Sequence, residues 1–91
     1  MKGTPELAAL FAAVKDKAEM QELITDLLTP AERKDLWERW RIVDLLLRGN
    51  SQRAIRDELS VSISKVTRGS RVLQEGTGVL RRIWQKLSKT P

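Results

Sequence analysis

The sequence predicts an all-α fold of six helices with a helix-turn-helix unit, and three observations carry that prediction. Apolar residues recur at spacings of three and four along most of the chain, no stretch alternates apolar and polar as a strand does, and residues 51–73 read as two short helices around a tight turn. Ninety-one residues leave room for one domain spanning 1–91, and a helical chain of this size buries little apolar surface unaided, so self-association is one remedy.

Pro5 followed by Leu7, Leu10, Phe11 and Val14 gives a first amphipathic helix. Beyond Lys15-Asp16-Lys17, the residues Met20, Leu23, Ile24, Leu27 and Leu28 repeat the pattern, as a second helix or as the far arm of one bent helix. Thr29-Pro30-Ala31-Glu32 combines a capping hydroxyl, a proline at the first helical position and a glutamate three after the cap, so a third helix starts there. It runs through Leu36, Trp40, Val43 and Leu47, and Ile42, Leu45 and Leu46 extend its apolar surface around most of the circumference. Such a helix is expected at the centre of the fold, ending at Arg48-Gly49-Asn50.

In the helix-turn-helix stretch, Ile55 and Leu59 give one helix a buried stripe, and Val66 and Leu73 do so for the next. Ser51 and Ser62 are the expected caps. Ser60 falls where the turn is tightest, a position that suits glycine, so a small strain is expected. After Gly76, a last helix over 77–88 carries Leu80, Ile83, Trp84 and Leu87. Trp37, Trp40 and Trp84 are expected to be core or dimer-interface anchors.

Composition narrows the function. The net charge of +5 is uneven: residues 1–50 hold 8 basic and 9 acidic side chains, whereas residues 51–91 hold 9 and 3. The basic half contains the helix-turn-helix, which suggests a polyanionic partner, the bland alternative being a solvated surface. No cysteine or histidine is present, which removes disulfides, thiolate chemistry and the usual transition-metal ligands, so no metal is expected. Lys2 and the apolar patch at residues 7–14 are cut off too early for a signal peptide, and nothing approaches a membrane span. The expected location is the cytoplasm, on the nucleoid, with no membrane partner.

Catalytic chemistry is not visible. Glu32, Asp35 and Glu38 alternate with Arg33, Lys34, Arg39 and Arg41, which reads as ion pairing on a helix surface. Ser70 lacks any context for a nucleophile. A helix-turn-helix offers DNA binding instead. The first turns of its second helix would enter the major groove, with Ser64 and Thr67 bonding base edges, Ile63 touching a thymine methyl and Lys65 reaching guanine or phosphate. Arg53 and Arg56 would take phosphates or a guanine. The competing reading is a solvent-facing helical hairpin in an interaction protein.

Between Leu28 and Leu73 the chain closely resembles the bacterial tryptophan repressor family. The likeness lies in Leu28-Thr29-Pro30, Glu32-Arg33, Arg39, Arg41-Ile42-Val43, Leu46-Leu47-Arg48-Gly49, Ser51-Gln52-Arg53, Glu58-Leu59 and Thr67-Arg68-Gly69-Ser70, with one residue missing between Gly49 and Ser51. The resemblance implies an intertwined homodimer, in which residues 1–50 supply dimerisation helices. It further implies L-tryptophan as a non-catalytic corepressor, and double-stranded operator DNA near tryptophan biosynthesis or uptake genes as partner. Gln52 and Ser70, in matching blocks, would join the DNA contacts.

By matching position, Arg39 and Arg68 would hold an indole between their guanidinium planes, and Arg68 with Thr29 would meet the ligand carboxylate. A flat, weakly hydrated guanidinium both stacks on an aromatic face and pairs with a carboxylate. Backbone carbonyls near Asp26 and Leu28 would accept from the ammonium, while Val43 and Gly69 would line the apolar slot. Val72 stands where the family pattern has a serine hydroxyl that helps hold the ammonium. A valine cannot accept a hydrogen bond, so weaker tryptophan binding or a preference for a related indole is expected. Two alternatives follow: a related regulator with a changed or lost effector, and a DNA-docking subunit of a transposase or recombinase, which would need a catalytic partner that this chain does not supply.

Overall fold

Local signals set most helix boundaries. The computed structural model describes residues 6–89, which form six α-helices and no strand: α1 Leu7–Ala12, α2 Lys17–Leu27, α3 Pro30–Leu47, α4 Gln52–Leu59, α5 Ile63–Glu75 and α6 Val79–Ser88. Lys2 and the expected helix-starting role of Pro5 lie outside the described residues. Two compact units are distinguished, one ending at Lys34 and one beginning at Asp35.

In the first unit the apolar pattern is split into two helices. The Asp16 carboxylate accepts from the Glu19 N–H at 2.9 Å, which caps α2 and ends any single bent helix across residues 15–17. Thr29 and Glu32 form a reciprocal capping box at the start of α3: the Thr29 N–H donates to Glu32 Oε1 at 2.9 Å, and the Glu32 N–H donates to Thr29 Oγ1 at 3.2 Å. Hydrogen bonds from the Thr29 backbone N–H, then from its side chain, hold the Glu32 carboxyl below the usual carboxylate range.

In the second unit the core consists of Ile42 and Leu45 from α3, Ile55 from α4 and Val66 from α5, with Leu46, Leu59 and Val61 packed around them. The central role expected of α3 therefore holds for its C-terminal half, where Val43 is buried too, whereas Leu36 and Trp37 remain exposed. None of the three tryptophans joins this core: Trp37 is 57% exposed, and Trp40 and Trp84 are half-buried. Of the two expected roles, core or dimer-interface anchor, the first is corrected accordingly. An indole is too large to enclose among so few apolar side chains.

Helix α3 ends where Gly49 takes φ 93, and the Gly49 and Asn50 N–H groups donate back to the Leu46 and Leu45 carbonyls. Ser51 and Ser62 cap α4 and α5 through the Ala54 and Lys65 N–H groups. Helix α5 extends two residues past the expected Leu73, and α6 starts at Val79 rather than 77, because Gly78 caps it in the left-handed region.

Ser60 adopts φ 54 and ψ 44, left-handed backbone that a Cβ disfavours. Replacing Ser60 with glycine relieves that strain but loosens the unfolded chain, for a net stabilisation of about 0.5–1 kcal/mol. Urea unfolding of the two proteins at equal concentration measures the difference.

Candidate functional site

Helix periodicity puts Arg39 and Val43 on one face of α3, four residues apart, with Leu36 and Trp40 beside them. On α5, Lys65, Arg68, Gly69 and Val72 share a face by the same rule. These two faces, with Leu80 of α6, line an open cavity of about 550 Å³. That volume suits a small aromatic molecule. Ile42, Val43, Val72 and Leu80 supply apolar wall, and Trp40 adds a flat ring.

Gly69 lets the helices approach. A Cβ at this position would come 2.8 Å from Ile42 Cγ2, closer than packed carbons come. Arg39 and Arg68 both line the cavity, and among the described residues neither forms an ion pair. Two spare guanidinium groups beside apolar wall favour a planar anion. Val72, 43% exposed, adds only methyl groups to that lining.

Of the eight residues expected to contact a ligand, five, Arg39, Val43, Arg68, Gly69 and Val72, line one cavity. Asp26, Leu28 and Thr29 belong to the other unit. There the Asp26 side chain is exposed, the Leu28 carbonyl accepts from Arg33 Nη1 at 2.9 Å, and the Thr29 hydroxyl caps α3.

Charge around the cavity is arranged differently from the sequence expectation. Glu38 does not pair with the cations of its own helix. Its Oε1 accepts from Lys65 Nζ at 3.0 Å, joining α3 to the first turn of α5, and its side chain is only 13% exposed. Glu32 caps α3 instead of pairing across its surface. The helix-surface reading fails for both because each has a better partner: an orphan backbone N–H for Glu32, and a cation on a neighbouring helix for Glu38.

The expected DNA-contacting residues lie on α4 and α5. Arg53, Ile63, Ser64 and Thr67 are exposed, whereas Gln52, Arg56 and Ser70 are half-buried. Thr67 Oγ1 donates to Gln52 Oε1 at 3.2 Å, tying the start of α4 to α5. Arg56 pairs with Asp57, and Lys65 with Glu38. Arg53 is left with its charge unpaired among the described residues. No described helix is long and apolar enough to cross a membrane, and no described cluster of three or more His, Cys, Asp or Glu could hold a metal ion.

Comparison with known families matches residues 3–88 to the model of the Trp repressor protein family. The chain belongs to the Trp repressor family. This is a family of transcriptional repressors, not of enzymes. Three similar relatives each carry the name Trp operon repressor homolog. One, from Aliivibrio salmonicida, is 40% identical over 73 residues, or 79% of this chain and 68% of the relative. Another, from Vibrio campbellii, is 38% identical over 74 residues, covering 80% and 74%. A third, from Chlamydia trachomatis serovar L2, is 32% identical over 85 residues, covering 92% and 90%. No solved structure gives a significant match.

In this Trp repressor family member, sequence reasoning passed over Asp44. Its carboxylate accepts from Arg48 Nε at 2.8 Å and from the Trp84 indole N–H at 2.9 Å, and it also pairs with Arg41. The spacings to Arg41 and Arg48 are legible as helix pairs, but the link to Trp84 spans 40 residues. Burial pushes the Asp44 carboxyl up, yet the bonds from Trp84 and Arg48, the Arg48 charge and the bond from Arg41 together outweigh it and hold the group below the usual carboxylate range.

A depressed folded-state value stabilises the fold above the ordinary carboxylate pKa, and that contribution is lost as pH falls through the folded value. Asp44→Asn is therefore expected to lower stability at pH 7 and to flatten the acid limb of stability below the ordinary aspartate pKa of about 4. Urea unfolding at a series of pH values measures both effects.

Proposed function

We propose that this chain is a ligand-dependent, sequence-specific DNA-binding repressor whose corepressor is L-tryptophan. In this reading it acts as a homodimer on double-stranded operator DNA controlling tryptophan biosynthesis or uptake, in the cytoplasm on the nucleoid. The observation that carries the proposal is the cavity between α3 and α5, where Arg39 and Arg68 face apolar wall without ion partners. An indole carboxylate satisfies both features, its ring against the guanidinium planes and its carboxylate against their N–H groups.

The cavity sits on the back of α5, and α4 with α5 would form the helix-turn-helix, α5 reading the major groove. Filling the cavity would fix the angle of α5 and favour the DNA-competent state by a population shift. Association of two copies is supported by the apolar residues left exposed: Val79, Ile83 and Leu87 along α6, and Leu7, Leu10 and Phe11 on α1. Residues 1–91 would then act as one domain.

Calorimetric titration with L-tryptophan, followed by retention of DNA from a binding-site selection, tests this reading. Saturable binding and ligand-dependent retention are expected. No heat at millimolar tryptophan would reject the corepressor. A second reading, a changed effector, is favoured by Val72, and tighter binding of a deaminated indole acid would select it.

A further inference from the structure

We propose that Glu38 is the ammonium-recognising carboxylate of the cavity, and that the amine of an aromatic amino acid displaces Lys65 from it. This inference rests on the reading that the cavity binds such a ligand. Val72 removes a hydroxyl from the lining without removing the need to match a positive charge. Glu38 lines the same cavity, and with a side chain only 13% exposed its carboxylate has to find a cation.

The cation it holds is the replaceable kind. Lys65 is a single flexible ammonium whose side chain is 53% exposed, so it can leave for water at little loss. Arg39 and Arg68, lining the same cavity, form no ion pair with Glu38. Asp35 also lines the cavity, but it is exposed, and water already solvates its charge. The cavity therefore presents two spare guanidinium groups, one sheltered carboxylate with an exchangeable counter-cation, and apolar wall. That set complements a zwitterion with a flat apolar side chain.

Exchange at Glu38 also couples ligand to DNA. Lys65 lies on the first turn of α5, and once displaced its ammonium adds a positive charge to the helix proposed to face phosphate.

Calorimetry with two probes on the full chain and its variants tests the exchange: L-tryptophan, and indole-3-propionate, which keeps the ring and carboxylate but lacks the amine. Glu38→Gln is expected to lose tryptophan affinity about tenfold or more and to leave indole-3-propionate unchanged. Lys65→Met is expected to bind tryptophan several-fold tighter, because the competing cation is gone, with no gain for indole-3-propionate. Glu58→Gln, at an exposed carboxylate on α4 outside the cavity lining, should match the wild type with both probes. A merely structural Glu38–Lys65 pair predicts the opposite sign for Lys65→Met, weaker tryptophan binding or none gained, and that result overturns the inference even if Glu38→Gln fails to fold. Equal losses of both probes in Glu38→Gln overturn it as well. Wild-type protein that binds neither probe overturns the corepressor reading itself, and this inference with it.

Discussion

Replacing Gly69 by alanine is expected to destabilise the fold by about 1–3 kcal/mol and to weaken ligand binding together with it. The new Cβ would lie 2.8 Å from Ile42 Cγ2 and 3.6 Å from Leu46 Cδ1. Ile42 cannot swing aside, because it is 2% exposed and branched at Cβ, which leaves one strongly preferred χ1 rotamer in a helix. The strain has to be relieved by moving α5 away from α3. Both helices wall the cavity, so its width changes with them.

Urea unfolding and tryptophan calorimetry on the same preparation measure the two effects. The double variant Ile42→Ala with Gly69→Ala should cost less than the sum of its parts, since alanine at 42 removes the clashing methyl. A neutral Gly69→Ala would mean that the spacing of α3 and α5 has slack and that glycine is not needed there.

The second large effect is a separation of sensing from reading. Arg39→Ala is expected to lower tryptophan affinity by tenfold or more, about 1.4 kcal/mol, because the guanidinium proposed to stack on the indole is lost from the cavity. Arg53→Ala should leave tryptophan affinity unchanged. Arg53 is exposed on the first turn of α4, away from the cavity lining, and its charge has no ion partner among the described residues. Its loss should weaken DNA binding and reduce the slope of log affinity against log salt by about one. Calorimetry and salt-titrated DNA binding distinguish the variants, and identical behaviour of the two would refute the division of roles.

What was legible in the sequence was local. The caps at Ser51 and Ser62, the box of Thr29 with Glu32 and the stop at Gly49 each involve groups within a few residues of one another, so the chain order displays them directly. Arg39, Val43, Arg68, Gly69 and Val72 were placed by family likeness, and helix periodicity explains how each pair of neighbours shares a face. Spacing could not reveal the partner of Glu38, 27 residues away, or of Trp84, 40 residues away, because those pairs depend on how helices pack. Periodicity likewise marks α3 as apolar on most sides without saying which end is covered.

The hydrogen bond from Trp84 to Asp44 bears on how the molecule opens. Helix α6 has no fully buried residue, and its indole N–H reaches back across 40 residues to a carboxylate on α3. Closing so long a loop yields contacts only once α3 is in place, so α6 is expected to dock late in folding and its amides to exchange with solvent more readily than those of the core. Leu80 of α6 is also part of the cavity wall. Each excursion of α6 would therefore breach that wall, and the residence time of the proposed ligand is expected to follow the breathing of this lightly anchored helix.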